Sequence, residues 1–281
     1  MAVNQVQEIG GLKERMDIMF SFASKVSYKK NHLLPVLQAS KSLIGMDINQ
    51  QPRNLLKWLE KYIQNFQPDH YPPEPLNHTD RPKVLSIHRL EELIVNTEIE
   101  KSRDYLTFLI QTANPDYIME LLLEIAILRL RSISATLFCW SALKSIHFMS
   151  LQDSIGILFL SLDSLYHGQK GTSDENNVMD KFHLYCHLHQ MKNTKMVRSS
   201  KLIPAILMQM KTLQDANNYN DIIPTELLGS MRENGEKGLV NYLLKLKLNK
   251  ISSERIFLLD ALRSAVRFAR DKDNILSIIQ G

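Results

Sequence analysis

The densest group of chemistry-bearing residues is Asp180, His183, Cys186, His187 and His189. On a helix, Asp180, His183 and His187 share a face, because residues three and four apart are surface neighbours. Two imidazoles one turn apart reach a common point, a geometry that zinc and iron use. The stretch lacks the glutamate of a His-Glu-x-x-His pattern, and no Cys-x-x-Cys pair stands elsewhere to close a site. A histidine cluster lining a pocket or the surface is the plainer account. His183 and His187 are kept as the metal-ligand alternative.

Two further histidines stand at helix boundaries. His32 follows Lys29, Lys30 and Asn31 and opens an apolar helix, and His147 ends the apolar run from Leu137 to Phe148. A buried polar ring needs a partner, so each either completes a structural hydrogen bond or points into a cavity. From the sequence alone, the structural hydrogen bond is the plainer account of both.

Other chemistries lack their residues. There is no Gly-x-Ser-x-Gly elbow. Cys139 lies in the apolar run Leu137-Phe138-Cys139-Trp140, which predicts an inert core thiol. Glu120 and Glu124 are one turn apart, but neither is followed three residues later by histidine, as a di-iron bundle requires. Gly10-Gly11 is an isolated pair, and no phosphate-cradling glycine pattern occurs.

The elements that must position these residues are helices. Leu12, Met16, Met19, Phe20 and Ala23 recur at steps of three and four, as does the series Leu33, Val36, Leu37 and Leu43. Pro52 suits the first turn of a helix over Arg53 to Phe66, with Leu55, Leu59 and Tyr62 on one stripe. Further helices are expected at 88–95, 98–113, 116–130, 137–148, 151–166, 178–192, 198–215, 224–234, 238–248 and 252–269, with a last turn over 271–279. The runs 116–130 and 137–148 are apolar almost all round and read as central. The proline-rich stretch 67–83 and the polar stretch 168–177 read as connections. No stretch alternates with period two. The expected fold is all-α, one domain over 1–281, of roughly ten to twelve packed helices and no sheet.

Totals narrow the class. Of 281 residues, 44% are hydrophobic and 23% charged, enough apolar material for a sizeable core. Net charge is +4, from 34 basic and 30 acidic residues, too even for a nucleic-acid surface. The basic series Lys192, Lys195, Arg198, Lys201 has no interleaved aromatics and reads as a solvated face. Two cysteines, each in an apolar or helical stretch, predict no disulfide framework and a reducing compartment, the cytoplasm. The first residues lack a secretory pattern. The run 118–130 is interrupted by charges and is too short to cross a bilayer.

Taken in order along the chain, these features resemble the questin oxidase-like family. Asn31-His32, the apolar helix Leu33 to Ile44, Gly45, and the helix Trp58-Leu59-Glu60-Lys61-Tyr62 are similar to that family's opening. The proline-containing connection and Arg103-Asp104-Tyr105-Leu106-Thr107-Phe108 follow in the same order. The run Trp140-Ser141-Ala142-Leu143-Lys144-Ser145-Ile146-His147 resembles a family stretch with two histidines. Here the second is kept as His147, Lys144 stands for an arginine, Ser145 for a threonine and Trp140 for the first histidine. Arg255 to Phe268 is similar to the family's C-terminal helix, without the histidine expected near its start. The resemblance implies an all-helical oxidoreductase of secondary metabolism performing Baeyer–Villiger-type oxidation of an aromatic or polyketide-like substrate. It also implies NADPH as reductant and His147, His32 and Lys144 as the catalytic set, with the two histidines in one interior pocket and His147 as general acid or base, since imidazole titrates near neutral pH. Trp58, Tyr62, Phe138 and Trp140 would then face a flat, hydrophobic substrate, since ligand pockets are mostly apolar with few polar anchors. The missing histidines leave a rival expectation: a non-catalytic helical binding protein derived from such an enzyme.

Overall fold

Helix starts are written in short local signals. Asn114 accepts the amide hydrogen of Asp116, and Pro115 takes the first helical position, where its missing donor is not needed. Ser132 accepts from Ala135, Asn177 from Met179, and His32 from Leu34. The computed structural model describes residues 2–29, 32–47, 52–69, 85–169, 177–196, 198–214 and 222–268, for residues 2–10 and Ser199 the backbone alone. Most of the 67–83 connection, most of the 168–177 loop and the expected turn over 271–279 lie outside the described residues.

Thirteen α-helices and no strand occur among the described residues. They are α1 (Ala2–Ala23), α2 (Leu33–Ile44), α3 (Arg53–Ile63), α4 (Ile87–Val95), α5 (Ile99–Ile110), α6 (Pro115–Ile125) and α7 (Ile133–Ile146). These are followed by α8 (Leu151–Gln169), α9 (Val178–Asn193), α10 (Ser199–Gln214), α11 (Thr225–Asn234), α12 (Glu236–Lys245) and α13 (Ser253–Phe268). The all-α expectation holds, with one helix more than its upper count. None of the described helices is long and apolar enough to cross a membrane.

The centre is α7, buried along nearly its whole length and packed on α2, α6, α8 and α9. The last helix, α13, closes over this centre by packing on α9 and α2. One continuous apolar cluster runs through Leu37, Phe138, Leu160, Tyr185 and Leu262, so the packing forms a single helical domain.

Four expectations are corrected. The helix expected over 116–130 changes pitch at Ile125 into a π-helical turn, Ala126–Leu130, and stops at Arg131, whose φ of 52° is left-handed. That stop lets Ser132 cap α7, which therefore begins four residues earlier than its apolar run suggested. α8 runs past its expected limit at 166 to Gln169, taking in Gly168, where an added Cβ would fall 2.7 Å from the Ser132 hydroxyl, so that glycine allows close helix approach. Arg198 is not on a solvated face. It is buried, its Nε donates to the Glu124 carboxylate at 2.7 Å, its backbone N–H donates to Glu120 at 2.8 Å, and it ties the start of α10 to α6. Both glutamates of the di-iron alternative serve this arginine, Glu124 its guanidinium and Glu120 its backbone N–H.

Candidate functional site

His183 and His187, one turn apart on α9, are both buried and face α13. Their Nε2 atoms are 2.9 Å apart. From α13, Asp260 directs Oδ2 to 3.1 Å from His187 Nε2 and 4.0 Å from His183 Nε2. The other carboxylate oxygen accepts from Arg263 Nε at 2.8 Å, one turn further along α13. Three residues from two helices thus converge on one buried point.

A second tier holds that point. Trp140, on α7, donates its indole N–H to His187 Nδ1 at 3.3 Å. Gln190, next on the same face of α9, places Oε1 3.3 Å from that nitrogen. The same amide oxygen accepts from Lys144 Nζ at 3.4 Å and from the Ser264 hydroxyl at 3.4 Å. Helices α7, α9 and α13 are therefore joined by polar contacts as well as by apolar packing.

Electrostatics follow from burial. Desolvation pulls the His187 imidazolium down to about 3, so the ring is neutral despite the opposing Asp260 charge. Burial alone would raise the Asp260 carboxyl, but Arg263 beside it and the imidazole contacts hold it well below the ordinary range. Burial also pulls Lys144 down to about 8, with Asp260 opposing and Arg263 adding to the shift.

His183 has a second face. With Asp180 it forms part of a cleft of about 80 Å³, whose other walls include Tyr28, His32, Tyr62, Phe138 and Phe257. The Phe257 ring stacks on His183 at 4.9 Å. Tyr62 is also in the wall of an open outer groove of about 570 Å³, beside Trp58, Lys61, Asn65 and Asn249. Trp58 and Tyr62 stack there at 4.6 Å. Burial raises the Tyr62 hydroxyl above its ordinary range while Ser253 hydrogen-bonds to it.

The residues expected to act are distributed differently from the expectation. His32 is buried at the start of α2 with both ring nitrogens engaged: Nε2–H donates to the Val26 carbonyl at 2.8 Å, and Nδ1 accepts from the Leu34 amide at 3.0 Å. Its ring edge lines the cleft, but its proton is already placed. His147 does not meet it. Because α7 ends at Ile146, His147 becomes its exposed C-cap, 3.6 Å from Asp116, outside the walls of the cleft. The single pocket holding both histidines is thereby overturned. Tyr62 and Phe138 line the cleft, Trp58 lines the groove, and Trp140 supports His187 from behind. Lys144 reaches Gln190 and so borders the buried cluster.

Sequence reasoning missed Asp260 and Arg263. The signal was present: an acid alone within the apolar run Phe257-Leu258-Leu259-Asp260-Ala261-Leu262 must be paired when that face is buried. Comparison with protein-family models, with curated proteins and with solved structures found no match.

Proposed function

We propose that the chain is an oxidoreductase that takes a flat aromatic or polyketide-like molecule at the groove of Trp58 and Tyr62. One edge of that molecule would enter the inner cleft toward His183. The observation that carries this reading is that Tyr62 belongs to the walls of both spaces, while His183 borders the inner one and touches the buried His187–Asp260 pair. The inner cleft holds a few water-sized groups, so a ring system would rest on the outer aromatic stack.

General acid or base duty moves from His147 to His183. A proton on His183 Nε2 is within reach of His187, which in turn faces an ionised carboxylate. Tyr28 and Tyr62 supply hydroxyl groups to the same walls. NADPH, implied by the resemblance, fits these residues poorly. Among the described residues lining the groove, Lys61 is the one cationic side chain, too little for a pyrophosphate with a further phosphate. Two free, buried thiols suit the cytoplasm.

A second reading has its own observation. His32 is fully occupied by structural hydrogen bonds and His147 is in solvent, so the residues matched to the resemblance do not assemble a catalytic pair. This favours a helical binding protein that holds such a molecule without changing it.

Oxygen uptake with hydroxylated anthraquinones, with and without NADPH, tests the first reading. Uptake by the wild-type chain should fall by about 100-fold or more in His183→Ala, the scale of a lost acid–base group. Saturable binding without turnover would leave the second reading, and neither binding nor turnover would remove both.

A further inference from the structure

We infer that His183 Nε2, His187 Nε2 and Asp260 Oδ2 form a site for a divalent first-row transition metal ion. Its open coordination positions would face the cleft on the His183 side. Two imidazoles and one carboxylate with free positions are the donor set of non-haem iron and of catalytic zinc sites. This deepens the proposed function by naming the group at its centre, and its position toward the cleft rests on that reading.

The geometry is close to what an ion needs. Cis donors around an octahedral ion lie roughly 3.0 Å apart for bonds of about 2.1 Å, and tetrahedral donors roughly 3.4 Å apart. The observed separations are 2.9, 3.1 and 4.0 Å. Closing the widest one asks for a small rotation of His183, whose other face borders the cleft rather than packed backbone.

Hydrogen bonding points the same way. If Trp140 donates to His187 Nδ1, the His187 proton is on Nε2 and serves Asp260. His183 Nε2, 2.9 Å from that same nitrogen, then shares that one proton with Asp260. A single proton thus lies among three nitrogen and oxygen atoms, each of which can bind an ion and all of which lie within reach of one another. An ion satisfies all three together. His187 would then carry its proton on Nδ1 and donate it to Gln190 Oε1, 3.3 Å away, the outer contact that ligating imidazoles make, with Trp140 giving up its hydrogen bond to that nitrogen.

Charge defines what completes the shell. Asp260 is already matched by Arg263, and Lys144 stands close by. A divalent ion would leave the buried cluster strongly positive. The open position therefore takes an anionic oxygen, such as hydroxide or the phenolate of an aromatic ligand.

The test uses the full chain. The protein holds two tryptophans, so Trp58→Phe leaves Trp140, in contact with His187, as sole reporter. Protein freed of metal by a chelator is titrated with Co²⁺, Zn²⁺ and, without oxygen, Fe²⁺. Bound ion is counted by elemental analysis and Trp140 emission is followed. One ion per chain is expected, with Trp140 quenched by Co²⁺, and affinity falling at least tenfold in Asp260→Asn and in His183→Gln. Circular dichroism establishes that the variants fold. His183→Gln, at the cleft edge, serves if Asp260→Asn does not. Gln190→Leu should weaken the ion by about 10–100-fold. No ion in the wild-type chain, or equal affinity after His183→Gln, overturns the site. Aromatic binding read at Trp58 in the otherwise unaltered chain separates the two ideas: it survives if only the metal site is wrong and disappears if the cleft reading is wrong.

Discussion

Trp140 donates its indole N–H to Nδ1 of His187, 3.3 Å away and 47 residues further along the chain. That contact ties α7 to α9 and selects the tautomer of a ring that has no access to water.

Replacing Trp140 with Phe removes the donor and keeps most of the ring. His187 should then move its proton to Nδ1 and donate to Gln190. Nitrogen-15 shifts of the imidazole read this directly, with the Nε2–H form expected in the wild-type chain without metal. The lost hydrogen bond and the space left by the smaller ring should together cost about 1–3 kcal/mol in urea unfolding. An unchanged tautomer would show that Trp140 does not control it.

Arg198 is the clearest stability test away from the site. Its guanidinium and backbone N–H serve two buried carboxylates, Glu124 and Glu120, so Arg198→Ala leaves a buried charge uncompensated. The expected loss is about 3–5 kcal/mol. Arg198→Lys should recover only part of it, because one ammonium cannot reproduce the fork that also reaches the Tyr117 hydroxyl at 3.2 Å. A loss below about 1 kcal/mol, the level of an exposed pair, would contradict this placement.

Lys41 predicts how stability changes with pH. Burial, aided by Lys144, pulls its ammonium down to about 7, with Asp17 opposing and the Phe148 ring face 3.1 Å from Nζ favouring the charged form. An unfolded lysine keeps its proton to about pH 10.4. Between those values the unfolded chain binds more protons than the folded one, so stability rises with pH across that window. Lys41→Met should flatten the rise in urea midpoint across that range. An identical slope in the variant would contradict the shift.

Both thiols should resist modification. Cys139 and Cys186 are fully buried; burial pushes Cys139 up to about 12, and Cys186 is also raised well above its ordinary value. Reaction with an aromatic disulfide reagent at neutral pH should therefore proceed at the rate of local or global opening and accelerate with urea. Immediate reaction of either thiol would contradict the packing.

The sequence made local periodicity plain and distant pairing obscure. The shared face of Asp180, His183 and His187 follows from helical spacing alone, as do the buried stripes of α2 and α3. The arrival of Asp260 does not, because α13 reaches α9 through tertiary packing that no local pattern encodes. His147 was misplaced because it closes an apolar run that suggests burial, whereas α7 stops at Ile146 and leaves it as the exposed C-cap. Arg198 was misread for a related reason. Its partners lie 74 and 78 residues earlier, and the neighbouring lysines gave it the look of a solvated face. Phe138 and Tyr62, expected among substrate-facing aromatics on the resemblance, lie in the cleft wall.

A calorimetric titration with a hydroxyanthraquinone, on the wild-type chain and on Ser253→Trp, tests the cleft most directly. Ser253 lines the inner space and pairs with Tyr62, so an indole there fills the space beside His183. The wild-type chain should show saturable binding of one molecule, and the variant at least tenfold weaker binding with its helical content intact. Equal affinity in the two proteins, or no heat from the wild type, would contradict the account.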